Sequence, residues 1–347
     1  MTNETATTET RNTFYTTVND LEEAMKQKHL YTDYALLNET WKKRFDDYMT
    51  GKKTMPLTYD PFFKCMFHPD RHADWLSHLL SAIIGETVTV ESALPSENTA
   101  ISVDSLLIMD IIVRLSDGSL ANVEIQKVPY RFTAERISCY SSDLLMREYS
   151  RLKKKKNFKY SDMKKVYTIV LYEKTGDTFK NPLLHGAYIH HGKNLFDSGL
   201  QMNLLQEYFL IALDVFCQNG YTEGEKTDMD DLDGWLSILT AETMADVERV
   251  IVHYPWSEEI FREMSKYVNR PEEVIYMFSE ALKIADKNTV KYMIEELQDK
   301  ATHEAELRKQ ETKLRKQTEA ELQLSRENEQ KLQERIAELE ALLAARS

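Results

Sequence analysis

The sequence is poor in cysteine, glycine and proline, and it contains no long apolar run. Three cysteines, Cys65, Cys139 and Cys217, are scattered through 347 residues with no CxxC pair. That pattern excludes a cysteine zinc site and a disulfide framework, suits a reducing cytoplasm, and predicts thiols that act as small buried hydrophobes. No stretch approaches the ~18 apolar residues of a membrane span. The polar, Thr-rich N-terminus lacks the apolar segment of a secretion signal, so the expectation is an unprocessed, soluble, cytoplasmic chain. There is no Gly-rich phosphate loop, no GxSxG elbow and no HExxH helix, which argues against P-loop nucleotide use, serine hydrolysis and zinc hydrolysis. Positive charge is also in deficit: 44 Lys and Arg face 57 Asp and Glu, for a net charge of -13. Any contact with nucleic acid must come from a local basic patch rather than from the whole-molecule field.

What is present is enough apolar material for a large core. Hydrophobic residues make up 42%, with 18 Tyr and 13 Phe, while the 29% charged residues fit a helix-rich periphery. The length exceeds the ~100 to 200 residues of one domain, and the composition divides the chain into four parts. Residues 1–52 have helical spacing through Leu21, Met25, Leu30, Leu37, Trp41 and Phe45 and read as an N-terminal helical arm. Residues 53–220 mix helix and strand signals, 221–299 are helix-forming, and 300–347 form a long charged helix. Within the second part the spacing predicts a helix over 61–84 with Asp60 at its start, a short strand after Val88, strands over 105–115 and 119–128, and a helix over 133–151. A fully buried strand over Val166 to Tyr172 follows, with further strands over 186–190 and 208–216. In the last part Leu322, Glu329, Ile336 and Leu343 lie seven apart, which fits either a coiled coil giving a homo-oligomer or a single solvated helix.

The hairpin at Ser116-Asp117-Gly118 carries the chemistry. It permits a two-residue Asp-Gly turn, or a three-residue loop ending with Gly in the left-handed region. In the first, Ile111 faces Glu124, and both sheet faces mix apolar with charged residues. In the second, Asp110 faces Glu124, while Met109, Ile111 and Val113 face Ile125, Val123 and Ala121 on the other side. A one-residue slip would turn the whole apolar set away from the core, so burial predicts the three-residue loop. Asp110, Arg114, Asn122, Glu124 and Gln126 then share one face. Two carboxylates directly opposite on neighbouring strands, Cβ atoms about 5 Å apart, destabilise a sheet unless a cation lies between them. Hard oxygen donors without Cys or clustered His favour Mg²⁺ or Mn²⁺ in that place. The alternative is a carboxylate neutralised by Arg114 or Lys127.

Asp110, thirteen intervening residues, and then Glu124-Ile125-Gln126 resembles the D...ExQ form of the PD-(D/E)XK motif found in the Rpn-type recombination-promoting nuclease and transposase family. The segment Tyr59-Asp60-Pro61-Phe62-Phe63-Lys64-Cys65-Met66-Phe67 is similar to that family's upstream motif, and Arg136-Ile137-Ser138-Cys139-Tyr140 to the segment after the active-site strand. The resemblance implies an α/β, restriction-endonuclease-like αβββαβ core with a mixed sheet, flanked by N-terminal helices and a long helical C-terminal extension. It further implies metal-dependent hydrolysis of DNA, with Mg²⁺ or Mn²⁺ held by Asp110, Glu124 and the carbonyl of Ile125. Gln126 occupies the place of the motif lysine; being neutral, it can only position water or phosphate by hydrogen bonds. Lys127 does not simply replace it, because adjacent strand residues point to opposite faces. Asp60 is either a third acid or a helix cap. The same Gln126, with the acidic total charge, also fits a catalytically weak nuclease fold that serves as a DNA-binding or oligomeric module.

Lys64 and Arg136 are further expected DNA contacts, and Tyr140 either joins Arg136 at the site or packs in the core. Lys153, Lys154, Lys155 and Lys156 head a basic run to Lys165, interrupted by Phe158 and Tyr160. That run is either a phosphate-contacting patch, with the rings touching exposed bases, or a solvated loop. His68 and His72 stand four apart but lack the carboxylate pattern of a zinc site. His190 and His191 have no acid-base partner visible in sequence, which favours a strand end or turn.

Overall fold

The computed structural model describes residues 14–94, 111–127, 133–219, 228–229 and 231–280, with a few isolated positions beyond. The chain divides after residue 284 into two units, and every element below belongs to the first. Helices α1 (Val18–Gln27), α2 (Tyr31–Ala35) and α3 (Glu39–Met49) open the fold. The Thr17 and Asn38 side chains accept from the backbone N–H groups of Asp20 and Trp41, which fixes where α1 and α3 begin. These helices pack onto later parts of the chain: Tyr48 donates its hydroxyl to the Met264 carbonyl at 2.6 Å. Trp41, Phe45 and Phe62 surround Phe278 edge-on, with ring centroids 4.9 to 5.8 Å apart.

The region predicted as one helix over 61–84 is two. Helix α4 (Asp60–Met66) ends before α5 (Pro69–Ile84), because the His68 ring nitrogen accepts from the Asp70 N–H and starts a new helix with Pro69 in its first turn. Asp60 is the first helical residue rather than the cap; Tyr59 holds the cap position without a side-chain hydrogen bond. Strands β1 (Val90–Leu94), β2 (Ile111–Leu115) and β3 (Leu120–Gln126) come next, followed by α6 (Ala134–Leu152) and β4 (Val166–Tyr172). This is the αβββαβ order. Strands β5 (Ile189–Gly192) and β6 (Gln206–Ala212) complete a six-stranded sheet in the order β1-β2-β3-β4-β6-β5. The β3-β4 and β4-β6 pairs are parallel and the others antiparallel, so the sheet is mixed.

Every residue of β4 is buried, as expected for a strand covered on both faces. Helix α6 covers one face: Ile137, Tyr140 and Leu144 pack with Ile112, Val166, Val170 and Tyr172. The strand predicted over 208–216 ends at Ala212, and the chain continues as α7 (Leu213–Asn219). Strand β5 begins three residues later than predicted. Beyond it lie α8 (Leu232–Thr240), α9 (Met244–His253) and α10 (Ser257–Lys266), and residues 271–280 are helical. The expectation of buried thiols is corrected for Cys139 and Cys217, both exposed; Cys65 is half-buried. Among the described residues no helix is long and apolar enough to cross a membrane. The predicted C-terminal coiled coil lies outside the described residues.

Candidate active site

The β2-β3 hairpin adopts the three-residue loop. Leu115 N–H donates to the Ser119 carbonyl and Gly118 N–H to the Leu115 carbonyl, both at 2.9 Å. Gly118 has φ +89, the left-handed conformation that a side chain would strain. Asp117 accepts from the Ser119 N–H at 2.9 Å and from its hydroxyl at 2.7 Å, locking the turn. The register that follows pairs Ile111 with Val123, Ile112 with Asn122, Val113 with Ala121 and Arg114 with Leu120. Asp110 lies outside the described residues.

On β3 the period of two places Asn122, Glu124 and Gln126 on the face covered by α6. Glu124 is only 2% exposed, and the Asn122 side-chain amide donates to its Oε1 at 2.8 Å. Asn122 Oδ1 and the Oγ1 of Thr168, its register partner on β4, are buried with no hydrogen-bond partner among the described residues. An unmet buried polar atom costs about 1–3 kcal/mol, so such atoms in a native fold call for a ligand or water. Arg114 and Lys127, the two cations read in the sequence as neutralisers of a carboxylate, both have other partners. Arg114 bonds Glu148 of α6 at 2.9 Å and the Gly118 carbonyl at 3.1 Å. Lys127, just past the strand end, pairs with Glu173 and lies 3.3 Å from Thr58 Oγ1 and 3.2 Å above the Tyr59 ring centroid. Burial pushes its amine down to about 8 against the pull of Glu173.

Over the same face, Arg136 donates to the Tyr140 hydroxyl at 3.1 and 2.7 Å. The Tyr140 ring is a core residue, 1% exposed against Ile112 and Val170, so it packs and orients Arg136 at once. Asp60 and Lys64 are brought together on α4, with Nζ 2.7 Å from Oδ1, where they line an open cleft with Cys65, Arg71 and Tyr276. Lys153 to Lys156 are exposed at the C-terminus of α6. Because Val166, which opens β4, pairs with Leu120, this run lies at the end of the sheet where β3 begins. The exposed lysines and Glu124 are therefore separated by roughly 15–20 Å, from the strand and helix rises. Among the described residues no group of three or more His, Cys, Asp or Glu is positioned to hold a metal.

His68, His72 and His191 have structural partners. His68 caps α5, and His72 stacks on Trp75 at 4.0 Å. His191 Nε2 sits 2.9 Å from Glu207 Oε2 and its ring stacks on Phe209 at 4.2 Å. Sequence reasoning missed Glu207, Glu173 and the role of Asn122. The first two are brought in by strand pairing; Asn122 carried a visible signal, standing two residues before Glu124 on the same face.

Residues 57–295 match the family model described as PD-(D/E)XK nuclease family transposase. No curated protein and no solved structure matches the chain. The matched region runs from just before α4 through the whole sheet, α6 and the helices beyond it, and on that ground the chain belongs to the PD-(D/E)XK nuclease family transposases.

Proposed function

We propose that this protein is a divalent-metal-dependent DNA endonuclease of the recombination-promoting, Rpn-like kind. The observation that carries the reading is Glu124, a carboxylate buried near a strand end with the Asn122 amide fixing it. Asp110, read in the sequence as the residue opposite Glu124, is the second ligand of this reading and the Ile125 carbonyl the third. The donor set is all hard oxygen, which fits Mg²⁺ or Mn²⁺. Such an ion, when bound, supplies Lewis acidity at the phosphate and a nucleophilic hydroxide near neutral pH. Asn122 holds the Glu124 carboxylate in one orientation. Gln126 offers neutral hydrogen bonds to water or to a phosphate oxygen, Arg136 supplies a cation oriented by Tyr140, Asp60 is a third acid from α4, and Lys64 beside it contacts DNA.

Supercoiled plasmid incubated with Mg²⁺ or Mn²⁺ is expected to relax to open circle. EDTA or Asp110→Asn should stop the conversion. Gln126 in the place of the motif lysine supports a second reading, a weak nuclease that mainly binds DNA. Salt-dependent binding with no cleavage under any divalent metal would decide for it. The seven-residue spacing of Leu322, Glu329, Ile336 and Leu343 supports self-association. Sedimentation of a chain ending at Lys300 should give a smaller species than the full chain, and an equal association state would reject that role.

A further inference from the structure

Away from the carboxylates, the last turn of α6 and the connection to β4 present three aromatic rings together. Tyr149 and Tyr160 lie nearly parallel, 10° between planes and 6.1 Å between centroids. Phe158 stands edge-on to both, at 5.8 and 5.4 Å. Tyr160 is 76% exposed, a large apolar surface given to solvent next to the most basic stretch of the chain. Between residues 151 and 165 there are eight Lys and Arg and one acid, Asp162, on a protein whose net charge is -13. Lys153 sits 5.4 Å over the Tyr149 ring, and Lys154, Lys155, Lys156 and Lys159 are exposed around the cluster.

The segment is shaped before anything binds. Lys155 N–H donates to the Leu152 carbonyl at 2.9 Å and Phe158 N–H to the Lys155 carbonyl at 3.3 Å. The Asp162 carboxylate accepts from the Lys159 N–H at 2.9 Å and closes a short 3-10 turn that carries Tyr160. A solvated lysine loop needs no rings, and a contact to duplex phosphates needs none either. Exposed rings become useful when base faces are free, because every unpaired base can stack on an aromatic side chain, while in a duplex those faces are covered by neighbouring pairs.

We propose that Tyr149, Phe158 and Tyr160, ringed by Lys153 to Lys156 and Lys159, form a stacking platform for single-stranded DNA flanking the cleavage site. The proposal rests on the DNA-cleaving reading for its biological setting and not for its test. The lysines hold the backbone by counterion release, and the prearranged rings take the bases with little ordering cost.

Fluorescence anisotropy on the full chain in EDTA, with labelled homothymidine DNA and a blunt duplex, separates this from catalysis. The single strand should bind at least ~10-fold tighter than the duplex. Tyr160→Ala should weaken the single strand roughly 5- to 100-fold, the range for removing one stacked base, with the salt slope unchanged. Lys154→Gln with Lys155→Gln should lower the slope for both DNAs, by about 0.7 for each single-strand phosphate that the lysines no longer neutralise. Tyr160 is largely outside the core, so its removal leaves the fold intact, and Phe158→Ala gives a second reading of the same surface. Equal affinity for strand and duplex, indifference to Tyr160→Ala, or tighter binding of RNA of matching length would each overturn the platform. Loss of plasmid nicking with the anisotropy pattern preserved would overturn only the nuclease reading.

Discussion

Glu124→Ala is expected to lower metal-dependent plasmid nicking by roughly 10²- to 10³-fold, the scale set by deleting one group that stabilises transition-state charge. The carboxylate is almost wholly buried and oriented by the Asn122 amide, so a metal or substrate would meet it already aimed. Glu124→Gln keeps its shape and removes its charge; it should fall nearly as far if the group binds a cation, and much less if it only fills space. Asn122→Ala acts one step further out and should cost about 10- to 100-fold, as for other partners that orient a metal ligand. A readout independent of turnover is the melting temperature. Mn²⁺ at ~100 times its dissociation constant stabilises a protein by about 2.7 kcal/mol, and that shift should be present in the wild type and absent in Glu124→Gln. Equal shifts in both would remove Glu124 from the metal centre whatever the nicking assay gave.

Glu148→Ala should be the most damaging single change to stability outside the apolar core, about 3–5 kcal/mol as for other broken buried ion pairs. Its side chain is 2% exposed and receives Arg114 from β2 at 2.9 Å and Arg151 from its own helix at 2.5 Å. Removal leaves Arg114, itself 14% exposed, without its carboxylate between sheet and helix. Burial alone would raise the Glu148 carboxyl, yet the two guanidinium groups hold it below its ordinary value. A carboxyl depressed in the fold contributes stability above its unfolded value, about 4.3, and that stability is lost as pH falls through the lower folded value. Urea midpoints of wild type and Glu148→Gln should therefore differ at neutral pH and converge in acid. A pH-independent difference, or a loss under about 1 kcal/mol for the alanine variant, would mean that water reaches the pair.

Much of this was legible in the sequence where the signal is local. The hairpin register follows from Gly118 and from the alternation of Ile111, Val113, Val123 and Ile125, because a slip by one would bury the wrong set. Strand β4 could be placed to the residue, since an unbroken β-branched and aromatic run between polar flanks has few other uses. The end of β6 was not legible: Ala212, Leu213, Val215 and Phe216 continue the apolar run, and periodicity over so few residues does not separate strand from helix. The break at His68 escaped because a histidine ring, rather than Ser, Thr, Asp or Asn, supplies the cap. The shared face of Glu124 and Gln126 was readable from spacing, whereas Glu173, Glu148 and Glu207 reach their partners only once the parallel strands and α6 are in place. Asp60 looked like a cap because an acid before an aromatic run has the composition of one; Pro61 after it shifts the helix start.

The parallel register of β3 and β4 turns the molecule into a ruler. A hydrogen-bonded strand cannot stretch, so the lysine-rich end of the sheet and the Glu124 end keep a constant spacing of roughly 15–20 Å. A backbone seized at one end and cut at the other would be severed at a constant offset, whatever bases happen to lie between.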